Sequence, residues 1–230
     1  MIDRRRLELY AITDRSWIQT SNDYHKNIQA VARQVEQALK GGVTMIQMRE
    51  KNLSSEEMIE EAIVLKELCH KYQVPFLIND YVELAKEVGA DGVHVGQSDK
   101  SVTEARNLLG KDAIIGATAK TVEQALVAQK QGADYLGSGA VFGSTTKSDA
   151  KSMSHELLEE ITNAVHIPVV AIGGINEANV MQLSGSGIAG VAVIGGIFGQ
   201  QDICKASQEL VKKLHGMEIK HENSIDNSRK

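Results

Sequence analysis

The sequence predicts an α/β chain folded as a single (β/α)8 barrel, and three observations carry that expectation. Short apolar runs alternate with helix-period segments eight times between residues 7 and 214, at roughly 25 residues per unit, close to the spacing of parallel eight-stranded barrels. One junction recurs: Gly-Gly-Val-Thr at 41–44, Gly-Ala-Asp-Gly-Val at 89–93, Gly-Ala-Asp-Tyr-Leu at 132–136 and Gly-Ile-Ala-Gly-Val at 187–191. Each stops a helix with a left-handed glycine and turns straight into a strand. The strand-like runs are apolar without clean alternation, as expected of strands covered by helices. A doubly wound open sheet is the competing architecture. Eight regular units, with no Gly-x-Gly-x-x-Gly fingerprint at a strand-to-helix turn, count against it.

Taken in order, Leu7 to Thr13 forms the first expected strand, followed by Asp14-Arg15 and a polar loop to about Asp23. Ile28, Val31, Val35 and Ala38 share one helical face up to Lys40, and Gly41-Gly42 ends that helix. Strand two runs from Val43 towards Lys51. Ser54-Ser55-Glu56-Glu57 is a capping box opening a helix to about Tyr72. Strand three is Pro75 to Asp80, with proline at its tolerated first position, and a short helix covers 81–88. Strand four, 91–95, leads to Gly96-Gln97-Ser98-Asp99, and Ser101-Val102-Thr103-Glu104 is a second capping box. Strand five, 113–116, ends in Ala117-Thr118, with Thr121 and Gln124 capping the next helix to about Gln131. Strand six, 133–137, precedes a long loop, 139–147, and helical spacing resumes from about His155 to Ala164. Strand seven is 168–172, followed by Gly173-Gly174-Ile175 and a helix capped by Asn176. Strand eight is 190–194, then Gly195-Gly196, and a last helix spans 202–214.

Composition narrows the function class. The chain has 230 residues, a formal net charge of −5, 42% hydrophobic and 24% charged residues, ordinary for a globular protein. Mild acidity argues against nucleic acid and membrane surfaces as partners. Cys69 and Cys204 sit in helical patterns without metal-ligand spacing, which suits a reduced cytoplasmic setting. The basic start, Met1 to Arg6, leads into too brief an apolar run for a signal peptide, and no run is long enough to span a bilayer. Residues 1–215 are expected to form one catalytic domain and 216–230 a polar, frayed tail. Self-association as a homo-oligomer stays open.

In such a barrel the active site lies at the carboxyl ends of the strands. Gln47, Arg49 and Lys51 alternate at the end of strand two, so a continuing strand points all three to one side. An amide and two cations on one face suit a polyanion; a solvated loop with an Arg49–Glu50 ion pair is the alternative. The other strand ends carry Asn79 and Asp80, then Asp99, Thr118, and Ser144, Thr146 and Lys147. Gly173-Gly174 and Gly195-Gly196 follow strands seven and eight, where bare N–H groups bind phosphate in many barrels; glycines also simply make tight turns. Asp80 and Asp99 suit Mg²⁺, a hard cation that keeps room for waters and phosphate oxygens; each could equally be a turn or cap residue. His94, on strand four, reads as a packed core residue.

These residues resemble a known family. Residues 42–51, with Gln47-Met48-Arg49-Glu50-Lys51, resemble the Gln-x-Arg-Glu-Lys signature of thiamine-phosphate synthases. Ile78-Asn79-Asp80, the run 91–99, Thr146-Lys147 and 171–175 resemble its later motifs in order, and Tyr10 to Arg15 its opening strand. The resemblance covers about residues 7–210 and implies a TIM barrel that joins 4-amino-2-methyl-5-hydroxymethylpyrimidine diphosphate to hydroxyethylthiazole phosphate, releasing diphosphate and forming thiamine monophosphate. It implies that Gln47 contacts the pyrimidine, that Arg49, Lys51, Asn79 and Lys147 hold the diphosphate, and that Asp80 and Asp99 hold Mg²⁺. Ser144, Thr146, Gly173 and Gly174, and the Ile194-Gly195 backbone, would take the thiazole phosphate, with Thr118 also at the substrate. The chain departs from the family pattern at Thr118 (often Ser), Lys120 (near a usual His), Gly195 (commonly Ser), Ala140 and Gly143 (usually prolines) and Ser144 (for Thr). Two other readings compete. A thiazole tautomerase-like barrel would use a His near position 120 and handle no diphosphate. A non-catalytic barrel would merely bind a thiamine precursor.

Overall fold

A computed structural model describes residues 2–143 and 152–217. Eight strands, β1 (Leu9–Ile12), β2 (Met45–Met48), β3 (Phe76–Asn79), β4 (Gly92–Val95), β5 (Ile114–Thr118), β6 (Tyr135–Gly139), β7 (Val169–Ile172) and β8 (Gly190–Val193), form a closed parallel barrel. Each strand pairs with the next, and β8 closes on β1 through Leu9↔Val191 and Tyr10↔Ala192. Around it lie α1 (Tyr24–Lys40), α2 (Ser55–Lys71), α3 (Val82–Val88), α4 (Val102–Leu109), α5 (Val122–Lys130), α6 (His155–Ala164), α7 (Gly195–Phe198) and α8 (Ile203–His215).

The lack of alternation in the strands has a direct cause: both faces are buried, but in different company. On β1, Tyr10 and Ile12 face the barrel interior with Met45, Leu77, Tyr135, Val170 and Ala192. Leu9 and Ala11 face outward into a larger cluster shared with α1, α2 and the other helices. Six of these eight helices start where a side chain caps them. Both expected capping boxes form: Glu57 N–H donates to Ser54 Oγ at 3.3 Å while Ser54 N–H donates to Glu57 Oε2 at 2.9 Å, and Ser101 and Glu104 repeat the arrangement. The recurrent junction glycines Gly42, Gly89, Gly132 and Gly187 all have positive φ.

Two expectations need correction. The helix foreseen after β7 is a single 3-10 turn, Val180–Leu183. Asparagine side chains take the backbone groups a helix needs: Asn176 Oδ1 accepts from Ala178 N at 2.8 Å and Asn179 Oδ1 accepts from Asn176 N at 2.9 Å. Gly195-Gly196 opens the one-turn helix α7. Strand six starts two residues later than foreseen and runs on to Gly139, because its pairing with β7 continues to Gly139↔Ile172. Among the described residues no helix is long and apolar enough to cross a membrane, and Cys69 and Cys204 are free thiols.

Candidate active site

The carboxyl ends of the strands surround a cavity of about 870 Å³. Of the sequence-predicted residues, Gln47, Arg49, Asn79, Asp80, Asp99, Thr118, Gly173, Gly174, Ile194 and Gly195 line it. Lys51 does not: it is exposed and lies outside the cavity wall. The alternation that would have aimed it inward ends with the strand at Met48. Ser144, Thr146 and Lys147 lie outside the described residues.

Gln47 is held inside the barrel, 2% exposed, and its Nε2 donates to the Tyr10 hydroxyl. Arg49 follows the strand, and its N–H donates to Thr13 Oγ1 at 3.0 Å, which ties the residue to the end of β1. Its guanidinium is almost withdrawn from water, with Nη2 buried and without a hydrogen-bond partner among the described residues. The neighbouring Glu50 does not pair with it. Glu50 turns away and accepts from Arg15 Nε at 3.1 Å, and Arg15 also bridges to the fully buried Glu61 on α2. A buried cationic fork at a cavity wall, without an anion among the described residues, is an incomplete arrangement, since an unpartnered buried charge is costly.

The carboxylates follow β3 and β4, the next strands round the barrel. Asp80 does not cap α3, whose N-cap is Tyr81 without a side-chain bond. It adopts φ 66°, in the left-handed region, and its N–H donates to the His94 carbonyl at 2.9 Å. Strained backbone of this kind collects at functional sites. Asp99 bends back so that Oδ2 accepts from Gly96 N–H at 2.6 Å. A Cβ at Gly96 would stand 2.8 Å from that oxygen, so the glycine makes the bend possible. Among the described residues no cluster of three or more carboxylates, histidines or cysteines makes a metal cage. Two carboxylates at one cavity mouth, one with an oxygen already engaged, are a partial donor set. Mg²⁺ fits such a set, because it retains waters and completes its octahedron with ligand phosphate oxygens.

On the opposite rim the backbone dominates. Gly173 (φ 105°) and Gly174 (φ 64°) both need glycine, and a Cβ on Gly174 would meet the Phe142 carbonyl at 2.5 Å. Gly195 has no positive φ. Cavity residues that sequence reasoning did not select include Tyr10, Trp17, Gln97, Phe142 and Gln200, and His94, read there as packing. Tyr10 carried a signal: an aromatic with a polar tip at an inward position of a strand requires a polar partner inside the barrel.

Comparison with known proteins agrees with the fold and the motifs. A family model described as thiamine monophosphate synthase matches residues 9–197. A thiamine-phosphate synthase of Clostridium tetani is 48% identical over 202 residues, spanning 88% of this chain and 93% of that protein. One of Fusobacterium nucleatum is 42% identical over 214 residues, spanning 93% and 100%. The solved thiamine phosphate pyrophosphorylase of Pyrococcus furiosus superposes with a TM-score of 0.82 at 40% identity, covering 93% of this chain and 98% of that one. With the barrel, the motif order and these matches in agreement, the chain belongs to the thiamine monophosphate synthase family and is a transferase.

Proposed function

We propose that this chain is a thiamine-phosphate synthase that condenses 4-amino-2-methyl-5-hydroxymethylpyrimidine diphosphate with hydroxyethylthiazole phosphate, yielding thiamine monophosphate and diphosphate. The observation that carries this reading is the buried, unpartnered Nη2 of Arg49 sharing one cavity with Asp80 and Asp99. A cation without a protein anion calls for an anionic ligand, and the carboxylates beside it call for a cation to accompany that ligand. A Mg²⁺ diphosphate meets both requirements.

The pyrimidine methylene carries its diphosphate on a carbon next to an electron-rich ring, so the C–O bond can break before the new bond forms. Charge then grows on the leaving oxygens. Arg49 and Asn79 stabilise it in this reading, with Lys51 and Lys147 as the family's further contacts. Mg²⁺, held by Asp80 and Asp99, would neutralise leaving-group charge when bound. Gln47 and Thr118 hold the pyrimidine. The thiazole phosphate rests on Gly173, Gly174 and the Ile194-Gly195 backbone, with Ser144 and Thr146 as the family's hydroxyl contacts. The thiazole nitrogen is already a free nucleophile, so the chain supplies positioning rather than a general base.

Mixing both substrates with Mg²⁺ should release diphosphate and thiamine monophosphate in equal amounts. Asp80→Asn and Asp99→Asn should each lower kcat by on the order of 10²-fold while leaving the circular dichroism spectrum unchanged. By calorimetry, Mg²⁺ should bind weakly alone and tightly once diphosphate is present. No diphosphate release, or full activity in EDTA, overturns the proposal.

A further inference from the structure

Two phenols and an imidazole that the proposed reaction leaves without a task lie at the cavity, Tyr10 and His94 in its lining and Tyr135 packed behind them. Tyr10 and Tyr135 are 1% and 0% exposed and meet edge-on with ring centroids 5.9 Å apart; His94 lies against Tyr135 at 5.5 Å. The barrel wall is hollowed to admit them. A Cβ on Gly116 would stand 2.2 Å from Tyr135 Cζ, and one on Gly137 would stand 3.0 Å from His94 Cε1. Neither glycine has positive φ, so both serve space rather than backbone conformation.

The polar atoms form one continuous chain. Gln47 Nε2 donates to the Tyr10 hydroxyl, the Tyr10 and Tyr135 hydroxyls are 2.9 Å apart, Tyr135 OH is 3.0 Å from His94 Nδ1, and His94 Nε2 is 3.1 Å from Thr118 Oγ1. Burial pushes both phenols up, far from any charged form, so each has one proton to donate. The chain then has a direction. An amide nitrogen only donates, so Tyr10 accepts and passes its own proton to Tyr135, which passes its proton to Nδ1. With Nδ1 accepting, the neutral ring carries its proton on Nε2 and donates to Thr118. Gln47 is left with Oε1 as an acceptor beside its second Nε2–H, and Thr118 with its hydroxyl proton as a donor, both on residues that line the cavity. Turning the Gln47 amide over would reverse every bond and swap the two ends together.

We propose that Tyr10, Tyr135 and His94 are positioning residues whose hydrogen-bond chain fixes which way the Gln47 amide and the Thr118 hydroxyl are turned, and so selects a flat heteroaromatic ring bearing an amino group beside a ring nitrogen. The ring class rests on the pyrimidine specificity proposed above; the chain itself does not.

The test uses the intact protein and Tyr135→Phe, which keeps the ring and removes the central hydroxyl. Long-range ¹H–¹⁵N correlation on ¹⁵N-histidine protein should show His94 with its proton on Nε2 in the wild type and a mixture of tautomers in the variant. Binding of 4-amino-5-hydroxymethyl-2-methylpyrimidine and of the same ring without its amino group is then followed by calorimetry and by the fluorescence of the only tryptophan, Trp17, which lines the cavity. The wild type should prefer the amino-bearing ring by about tenfold or more, and Tyr135→Phe should largely erase that preference, in keeping with the cost of unpairing buried polar groups. Thiazole phosphate affinity should stay unchanged. A mixture of His94 tautomers in the wild type, an intact preference in the variant, or equal loss for both rings and for thiazole phosphate overturns the inference. If the ring preference behaves as expected but no condensation occurs, the proposed reaction falls and the positioning role stands.

Discussion

At the scale of single residues, the side chains that bind and those that merely line the cavity separate by what they lack. Arg49 lacks a partner for Nη2 although it is only 9% exposed. Its guanidinium therefore adds little to the ligand-free fold and gains most when an anion arrives. Arg49→Ala should leave the melting temperature of the free protein unchanged or higher and lower kcat by on the order of 10²-fold, the scale of a lost transition-state charge contact. Diphosphate with Mg²⁺ should raise the melting temperature of the wild type and not of the variant. Lys51→Ala should cost less, because an exposed Lys outside the wall gives up part of its interaction to solvent. Wild-type turnover in Arg49→Ala would remove the arginine from the leaving-group site. The glycines divide similarly. A Cβ on Gly195 meets Trp17 at 3.4 Å, an ordinary contact, so Gly195→Ser should be tolerated and should hold or slightly tighten thiazole phosphate. Gly174→Ala forces φ 64° on a side chain and drives its Cβ to 2.5 Å from the Phe142 carbonyl. It should lose about 1–3 kcal/mol of stability. Titration with thiazole phosphate and thermal melts check both, and equal tolerance of the two changes would show that backbone space does not shape this rim.

At the scale of elements, the caps and junctions do what their residues dictate. Ser54 satisfies an orphan N–H at the start of α2, so Ser54→Ala should cost about 1 kcal/mol in a chemical denaturation curve, with the midpoint shifted and the slope kept. An unchanged midpoint would mean that packing alone holds that helix end. These same local rules explain what could be read in advance. Eight strands, seven of the helices and the positive φ of the junction glycines follow from patterns within a few residues, and the structure reproduces them. The 3-10 turn after β7 was hidden because Asn176 and Asn179 satisfy each other's segment through side chains, which a capping signal alone does not distinguish from a helix start. Lys51 was misplaced because alternation assumes a strand, and β2 ends at Met48. The lining of the cavity was legible where it follows directly from a strand end, as with Gln47, Asp80 and Asp99. The Tyr10–Tyr135–His94 chain was not, because it joins residues from β1, β6 and β4 that meet only when the barrel closes.

At the scale of the whole molecule, the barrel holds reactive charge at its mouth and structural charge in its wall, and the two are close neighbours at Arg49 and Glu50. Arg15, from the loop after β1, joins Glu50 at the end of β2 to Glu61 in the middle of α2, so one ion cluster ties loop, strand and helix together. Glu61 is fully buried, and burial together with the charge of Glu50 pushes its carboxyl up to about 8 against the pull of Arg15. The folded chain thus holds a proton that the unfolded chain, titrating near 4.5, releases first. Stability from this group is complete below about pH 4.5 and is lost as pH rises through about 8. Glu61→Gln removes the titration while keeping an oxygen for Arg15, and Glu50 remains as a second partner. Melting temperatures of the wild type should therefore fall between pH 5 and pH 8.5, by an amount equivalent to roughly 1–3 kcal/mol, while those of Glu61→Gln should fall less. The variant should overtake the wild type at the alkaline end. Parallel curves for the two proteins would place the proton elsewhere and leave Glu61 ionised in a full salt bridge with Arg15.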